Sequence, residues 1–273
     1  MALTINTNSA SLTAQKNLAS SQSALAGSFQ KLSSGLRVTS AADDAAGLAV
    51  SESMKSQIRS YTVAQRNAAD GISMAQTAEG ALGQVHDVLG RMRELAMQSS
   101  NGSLGSTDRG YLDTEFSSLK NEIDRIQKSS KFNGVSLVNS TGATINFQVG
   151  LNNVTGSDQI SVTFGGVDVS AISSATVANA TAALAALGSI DTTIQNVSNS
   201  RAKFGTAMNR LNYATSSIQT MSVNLSAANS RIVDVDVASE TAAMSRNQVL
   251  SQAGVSVLAQ ANQLPQLALS LLR

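Results

Sequence analysis

The chain contains no cysteine and no tryptophan, only one proline and one histidine, and aromatic residues make up 3% of its 273 positions. Without cysteine it can form neither disulfide bonds nor thiolate metal sites. Since a buried aromatic side chain removes roughly 150–250 Å² from water, a chain this poor in aromatics cannot build a thick globular core from them. Its many Ala, Ser, Thr, Asn, Gln and Leu residues favour long helices that touch along narrow seams.

Charge and hydropathy exclude two classes of partner. Charged residues make up 14% of the chain, the formal net charge is +1, and Lys and Arg do not cluster among aromatics, so no nucleic-acid partner is predicted. No stretch approaches the roughly 18 uninterrupted apolar residues of a membrane span, so no membrane partner is predicted. Residues 1–15 have neither a basic start nor an apolar run and are not an ordinary secretory signal. These properties alone predict a cytoplasmic protein.

Apolar and small residues recur with alternating steps of four and three positions, the spacing of a coiled-coil seam. Near the C-terminus the seam runs through Leu250, Gly254, Val257, Ala261, Leu264, Ala268 and Leu271. A matching stripe near the N-terminus has a leucine at every seventh position. Pairing of the two ends predicts an assembly seam made by Leu18, Leu25, Leu32, Leu250, Val257, Leu264 and Leu271. Pro265 lies inside the C-terminal stripe and should bend or interrupt its helix.

The middle of the chain carries longer stripes of the same kind. One continues without a break from Ala64 to Ala96, and turn residues at 101–106 end its helix. A shorter helix is predicted over 112–126 and is stopped by KFNG at 131–134. A third, less regular stripe spans 190–232.

Between the helices the period of the apolar residues changes from 3.5 to two. Ile145, Phe147 and Val149 alternate with polar residues, and Ile160, Val162 and Phe164 do so after a TGSD turn, which predicts a β-hairpin. Residues 170–188 are predicted to be loop in their first half and helix in their second. The predicted fold class is mainly α, a long coiled-coil-like helical bundle formed by the N- and C-terminal halves, with a small β-hairpin region at the far end.

Few residues could carry out chemistry. His86 lies off the apolar stripe and is predicted to be an exposed helix residue rather than part of a Ser-His-Asp triad. The pairs Asp43/Asp44 and Asp234/Asp236 have no further ligand-type residues beside them and are predicted to serve as helix caps and linkers. Nucleotide-binding and hydrolase motifs are missing from the sequence. We therefore predict no catalytic, cofactor-binding or metal site, no cofactor, and a structural protein rather than an enzyme.

Five long stretches of the sequence resemble bacterial flagellin and follow in the order typical of that family. They are KLSSGLRVTSAADDAAGLAVSESM (31–54), DGISMAQTAEGAL (70–82), RMRELAMQSSNG (91–102), KFNGVSLV (131–138) and the C-terminal block that starts ANSRIVDVDV (228–273). The resemblance covers nearly everything outside about 140–185. It implies a structural subunit that polymerises into the bacterial flagellar filament and enables swimming motility.

The resemblance also implies a division into two domains. Residues 1–40 and 235–273 would form an inner-core terminal coiled coil that lines the central channel. Residues 41–234 would form an outer-core helical domain, including the β-hairpin region at about 140–185. Larger flagellins insert projecting domains in this middle region. This sequence has room there for little beyond a hairpin, so we expect a short form and a smooth filament.

The expected location changes with the resemblance. Flagellins carry no cleaved signal because the flagellar type III apparatus exports them largely unfolded, so the expected localisation is secreted, in the flagellar filament. A chain without cysteine and with one proline suits that route, because no disulfide can form early and only one prolyl bond can isomerise slowly. The implied partners are further copies of the chain in a helical homopolymer, an export chaperone, the filament cap, the hook–filament junction proteins and a host innate immune receptor.

In some flagellins a host Toll-like receptor recognises a face of the outer-core helices. Taken by themselves, Arg91 and Leu95 are predicted to share one surface side of a helix, because they are four positions apart. The resemblance implies a receptor-recognition and inter-subunit face that contains Arg91, Leu95 and Glu115. Three nearby residues depart from the family pattern: Gly90, Met92 and Met97.

Two alternatives remain beside the filament subunit. A hook–filament junction protein shares related terminal helices and the same export route, but it lacks the dense central signature seen at 70–102. An enzyme is the other alternative, since some flagellins carry an inserted catalytic domain. Residues 140–185 leave no room for such an insert, and a zinc-ligand histidine set is missing from the sequence.

Overall fold

The computed structural model describes residues 7–270 except 155, 166 and 167, with side chains up to residue 263. Two residues of the predicted assembly seam are affected: Leu271 and the side chain of Leu264 lie outside what is described. Within the described residues no helix is both long and apolar enough to span a membrane.

Helices dominate the described part of the chain, which confirms the predicted fold class. In chain order the elements are α1 (Ser9–Ser34), α2 (Ala45–Ser100), α3 (Ser106–Ser129), β1 (Lys131–Phe132), β2 (Val135–Ser136), β3 (Ala143–Gln148), β4 (Gln159–Phe164), α4 (Ser170–Ser173), α5 (Ala180–Val233) and α6 (Val237–Ser270).

The chain divides into two compact units. Unit 1 comprises the residues up to Ser56 and those from Asn224 onward, and unit 2 comprises Gln57–Val223. The long helices α2 and α5 therefore each contribute to both units. The domain division implied by the resemblance assigns the ends of these two helices to the other group, and it stays a prediction about the filament.

Unit 2 contains the hydrophobic core. There α2 and α5 run antiparallel, with Arg201 against Glu79 at 2.6 Å and Arg93 against Asp191 at 2.7 Å between nitrogen and oxygen. Every position of the stripe predicted from Ala64 to Ala96 is buried, which confirms that helix and its inward face. The buried residues on α5 include larger side chains, Ile190, Val197, Phe204, Leu211 and Ile218.

The predicted hairpin is present as β3 and β4, which pair antiparallel with Phe147 opposite Ile160. One face of the hairpin is apolar and packs on the helices of unit 2. Phe164 stacks on Phe204 with ring centroids 5.4 Å apart, and Phe147 lies so close to Gly71 that a β-carbon there would come within 3.1 Å of its ring. The alternation read from the sequence therefore sets which face of the hairpin is buried.

A second, shorter hairpin follows α3 and was not predicted from the sequence. Strands β1 and β2 pair across the two-residue turn Asn133–Gly134, whose φ angles are 47° and 81°. Positive φ at both turn residues is typical of the type I′ hairpin turn, for which Asn-Gly is the preferred sequence. KFNG was correctly predicted to lie beyond the end of a helix, but its Asn-Gly dipeptide also indicated this hairpin.

In unit 1, α1 and α6 run antiparallel along each other. Leu18 lies against Gly254, and Asn8 lies against Ala261. Gly35, with φ of 71°, ends α1 in the left-handed conformation that glycine adopts without steric cost. The backbone then pairs with the segment before α6, where Val235 N–H donates to the Gly35 carbonyl at 3.0 Å.

Pro265 was predicted to bend or interrupt its helix, and it does not interrupt it, because α6 continues through this position to Ser270. A proline inside a helix removes one hydrogen bond, the one that its N–H would donate to the carbonyl four residues earlier. That carbonyl belongs to Ala261, and here it accepts a hydrogen bond from Asn8 Nδ2 at 2.8 Å. The hydrogen bond that the proline removes is therefore replaced by one from Asn8, the residue that caps α1.

Candidate assembly surface

The contact between α1 and α6 follows the heptad pattern on α1. Leu18, Leu25 and Leu32 are all partly shielded from solvent. On α6 the shielded positions advance in steps of three and four and are mostly small or polar: Met244, Asn247, Ser251, Gly254, Leu258 and Ala261. Gly254 permits the closest approach, since a β-carbon there would lie 3.3 Å from Leu18 Cδ1.

Leu250 and Val257 do not lie in this contact, which corrects the predicted pairing of the two ends within one chain. Leu250 is 49% exposed and Val257 is 53% exposed. The reason is geometric. The column shielded beside Gly254 and Ala261 is that of Ser251 and Leu258, one position after Leu250 and Val257, so the seam keeps its seven-residue repeat but uses the neighbouring column. Gly254 and Ala261 remain in the seam, and the larger residues form a flank beside it.

Unit 1 exposes many large apolar side chains and buries few. Besides Leu250 and Val257, the exposed ones are Leu12, Phe29, Val50, Val237, Val249 and Val255. Its buried apolar residues among those described are only Ala14, Val38, Val233 and Ala261. Large apolar surface that is contiguous and uncovered is characteristic of sites where another molecule binds.

The three residues of the predicted receptor face have different environments. Arg91 and Glu115 come together as an ion pair between α2 and α3, 2.9 Å apart, and Arg91 also pairs with Glu94. The hydrogen bonds to Glu94 and then to Glu115 raise the pKa of the Arg91 guanidinium. Leu95, in contrast, is 1% exposed and belongs to the core of unit 2, so the prediction that it shares a surface side with Arg91 is wrong.

One member of each acidic pair acts as a helix cap, as predicted. Asp44 Oδ1 accepts from the Gly47 backbone N–H at 2.8 Å at the start of α2. Asp236 Oδ1 accepts from the N–H groups of Ala238 and Ser239 at the start of α6. His86 differs from its prediction: it is half-buried on α2 rather than exposed, and its Nδ1 is buried without a hydrogen-bond partner among the described residues.

Sequence reasoning missed the residues that hold the start of α1. Asn8 caps α1 through its side-chain oxygen, which accepts from Ser11 N–H at 3.1 Å, while its side-chain nitrogen reaches α6. The Asn8 to Ser11 spacing is a recognisable capping signal. Its second contact could not be read from the sequence, because it joins residues 253 positions apart.

Long antiparallel helices, capped by acidic side chains and flanked by uncovered apolar surface, characterise a helical structural protein. Comparison with protein-family models gives two matches: the bacterial flagellin N-terminal helical region over residues 5–143 and the bacterial flagellin C-terminal helical region over residues 187–272. The chain belongs to the bacterial flagellin family. It is a structural subunit of the flagellar filament, which self-polymerises and serves motility, and it is not an enzyme.

Individual relatives agree with this assignment. The chain is 44% identical to the flagellin of Halalkalibacterium halodurans over 273 residues, covering 98% of this chain and 99% of the relative. It is 39% identical to the flagellin of Bacillus subtilis, again covering 98% and 99%. The crystal structure of Bacillus cereus flagellin matches with a TM-score of 0.50 at 32% identity, covering 60% of this chain and 94% of that one.

Proposed function

We propose that the subunit joins its helical homopolymer by placing the exposed flank of α6 against the terminal helices of neighbouring copies. The flank consists of Leu250 and Val257, and by sequence it continues to Leu264 and Leu271. The observation that supports this proposal is that unit 1 exposes Leu250 and Val257 although its described residues form almost no core. Covering them would remove apolar area from water at roughly 25 cal/mol per Å².

In this proposal the terminal helices, residues 1–40 with 235–273, form the inner-core coiled coil that lines the filament channel. Residues 41–234 form the outer-core domain around it. Leu18, Leu25 and Leu32 stabilise the pair within the subunit, and the flank on α6 joins it to its neighbours. Family membership supports the arrangement, and the uneven burial of the two units is consistent with it.

The proposal includes the route by which the subunit reaches the filament. The chain would be exported through the flagellar type III apparatus, held by an export chaperone beforehand, and added below a filament cap on top of the hook–filament junction proteins. The secreted location follows from this route. The composition supports it, because a chain without cysteine and with one proline has little to delay threading and refolding.

Recognition by the host flagellin-sensing Toll-like receptor belongs to the proposal as well. Arg91 and Glu115 offer an exposed ion pair between α2 and α3. Leu95 would act only indirectly, by fixing the position of α2 through its packing. In the filament the same face would contact a neighbouring subunit, so its first role is in assembly.

The polar double variant Leu250→Gln/Val257→Gln tests the flank. We expect its critical concentration for seeded polymerisation to rise at least about tenfold, because each lost apolar contact contributes on the order of 1 kcal/mol. Sedimentation and electron microscopy measure this. The matched control is Leu184→Gln, a leucine on α5 in unit 2 that is 61% exposed.

Two outcomes distinguish the surfaces. If the double variant loses polymerisation while the Leu184 control and the helix content of both are unchanged, the flank is an inter-subunit contact. If the double variant polymerises at the unmodified concentration, the flank is not part of the lattice and other surfaces hold it together. A version lacking residues 261–273 extends the test to the part of the tail whose side chains are not described.

A further inference from the structure

The single proline of the chain leaves one carbonyl of α6 without its helical partner. Residue 265 has no N–H to donate, so the carbonyl of Ala261, four residues earlier, cannot complete the usual helical hydrogen bond. Ala261 is 6% exposed, so its surroundings offer little water as a substitute. A buried carbonyl without a partner is unfavourable, and native proteins seldom leave one unpaired.

Asn8 supplies the missing partner from the other end of the chain. Its Nδ2 donates to the Ala261 carbonyl at 2.8 Å, while its Oδ1 accepts from Ser11 N–H at 3.1 Å and caps α1. One side-chain amide thus caps the start of α1 and supplies the hydrogen bond that is missing in α6. Ser11 Oγ donates to Asn262 Oδ1 at 2.8 Å directly beside it.

The residue type matters, because Asp and Ser are equally good helix caps. An ionised Asp has no donor, and a Ser hydroxyl lies on a side chain one atom shorter than the amide of Asn. Only a side-chain amide of this length combines the cap with a donor that reaches α6 from position 8.

Backbone hydrogen bonds between residues 35–37 and 233–235 hold the pair where α1 ends, but along the rest of its length the seam specifies the register of α1 and α6 weakly. Leucines recur every seven residues on α1, and small residues recur in the same rhythm on α6, so a slip by one heptad presents similar surfaces to each other. Coiled coils often fix register with a single polar contact placed in an otherwise repetitive seam. The chain has one proline, and therefore one proline-freed carbonyl, so a contact made to it is unique along α6.

We propose that Asn8 is a positioning residue that fixes the register of the terminal helix pair by donating to the carbonyl freed by Pro265. The proline, rather than breaking α6, marks the place where the start of α1 is held, at the opposite end of the pair from the backbone bond between Gly35 and Val235. This role deepens the proposed function and rests on it only for its effect in the filament. In the subunit itself the role of Asn8 depends only on α1, α6 and the hydrogen bond between them.

Engineered cysteines report the register directly, because the chain has none of its own. A β-carbon built at Gly254 lies 3.7 Å from Leu18 Cβ, within the range of a disulfide. The pair Leu18→Cys with Gly254→Cys therefore reports the observed register. The pair Leu25→Cys with Gly254→Cys reports a slip of one heptad.

With Asn8 present we expect the first cysteine pair to oxidise and the second to stay largely reduced. With Asn8→Asp or Asn8→Ser, which keep the cap and remove the donor, we expect the slipped pair to rise at least about tenfold relative to the first. If both Asn8 variants leave the ratio of the two disulfides unchanged, Asn8 does not set the register and the proposal fails.

A double-mutant cycle tests the link to the proline. Pro265→Ala restores an N–H at position 265 and satisfies the Ala261 carbonyl within α6. We therefore expect Asn8→Asp and Asn8→Ser to accelerate hydrogen exchange in α6 when residue 265 is proline and to have little effect when it is alanine. Equal acceleration in both backgrounds would show that the effect of Asn8 does not depend on the carbonyl freed by Pro265 and would overturn the proposal.

Both readouts are made on seeded filaments and on the free chain, the latter under conditions in which circular dichroism shows that the terminal helices are folded. If the unmodified chain fails to polymerise, the proposed function fails, while the disulfide ratio in the free chain still reports on Asn8. If the Asn8 variants match the unmodified chain in disulfide ratio and exchange while polymerisation is normal, the register role alone is wrong.

Discussion

Asp43 accepts four hydrogen bonds at one carboxylate oxygen, from the backbone N–H and the hydroxyl of both Thr39 and Ser40. The Thr39 hydroxyl makes the largest contribution, followed by the Ser40 backbone, and together the bonds lower the pKa of Asp43 from 3.8 to about 2. Hydrogen bonds to the charged form of a carboxyl favour that form. The ionised carboxylate of Asp43 therefore stabilises the exposed turn between α1 and α2.

The sign of the pH dependence follows from this shift. Because folding lowers the pKa of Asp43, its contribution to stability is present above about pH 4 and is lost as the pH falls toward about 2. We expect Asp43→Asn to be less stable than the unmodified chain at neutral pH, with the difference closing over that interval. Exchange of the Thr39 and Ser40 amides measures it, and Asp70→Asn, an exposed change on α2, is the control. A difference that persists at pH 2 would contradict the role of ionisation.

At the scale of elements, apolar periodicity determined which parts could be predicted. The stripe from Ala64 to Ala96 and the alternation in β3 and β4 read directly as a helix face and a hairpin face, because burial repeats with the period of each structure. The Asn-Gly turn of β1 and β2 is just as local, and its signal was present but not used. Leu95, one position from seam residue Ala96, was wrongly placed on the surface, because the buried sector is wider than a strict seam.

Contacts between residues far apart in the chain could not be predicted from the sequence. Nothing near Arg93 indicates Asp191, and nothing near Asn8 indicates Ala261, because the chain must fold before these residues meet. A heptad count fits either column beside Gly254 and Ala261, that of Leu250 and Val257 or that of Ser251 and Leu258, and the structure shows that the second is the shielded one. The candidate flank could therefore be named from the sequence, but its exposure could not.

The contact between α2 and the β3–β4 hairpin depends on a missing side chain at Gly71. A β-carbon there would lie 3.0 Å from Leu211 Cδ1 and 3.1 Å from the Phe147 ring. We expect Gly71→Ala to lower the free energy of unfolding by about 1 kcal/mol, because overpacking of a core outweighs the gain in helix propensity. Thermal unfolding measures this change.

Gly83 on the same helix provides the matched control. A β-carbon there meets nothing within 4 Å, so Gly83→Ala should raise the free energy of unfolding by about 0.5–1 kcal/mol through helix propensity alone. If both variants change stability in the same direction, the close approach at Gly71 does not constrain the hairpin.

At the scale of the whole molecule, the hydrophobic core is divided unequally. The core cluster lies entirely between Ala64 and Ile218, within unit 2. Unit 1 has helices of comparable length but buries only four apolar residues among those described, none larger than valine. Helical stability in proteins comes mostly from packing of an apolar face, so unit 1 has much less to keep it folded in a free subunit.

We therefore expect limited proteolysis of the dilute free subunit to remove the termini and leave a fragment close to 57–223. The same protease should spare the termini in assembled filaments, where neighbours cover them. Mass spectrometry identifies the fragments, and the cut positions can be compared with the limits of unit 2. Equal resistance of both units in the free subunit would contradict the uneven stability argued from burial.

The exposed flank on α6 also gives assembly a temperature dependence. If Leu250 and Val257 meet neighbouring chains, association transfers apolar surface out of water and has a negative change in heat capacity. Such association is driven mainly by the entropy of released water near room temperature, and the driving force weakens on cooling. A subunit that keeps its apolar side chains on the outside thus links the length of its filament to the properties of the solvent.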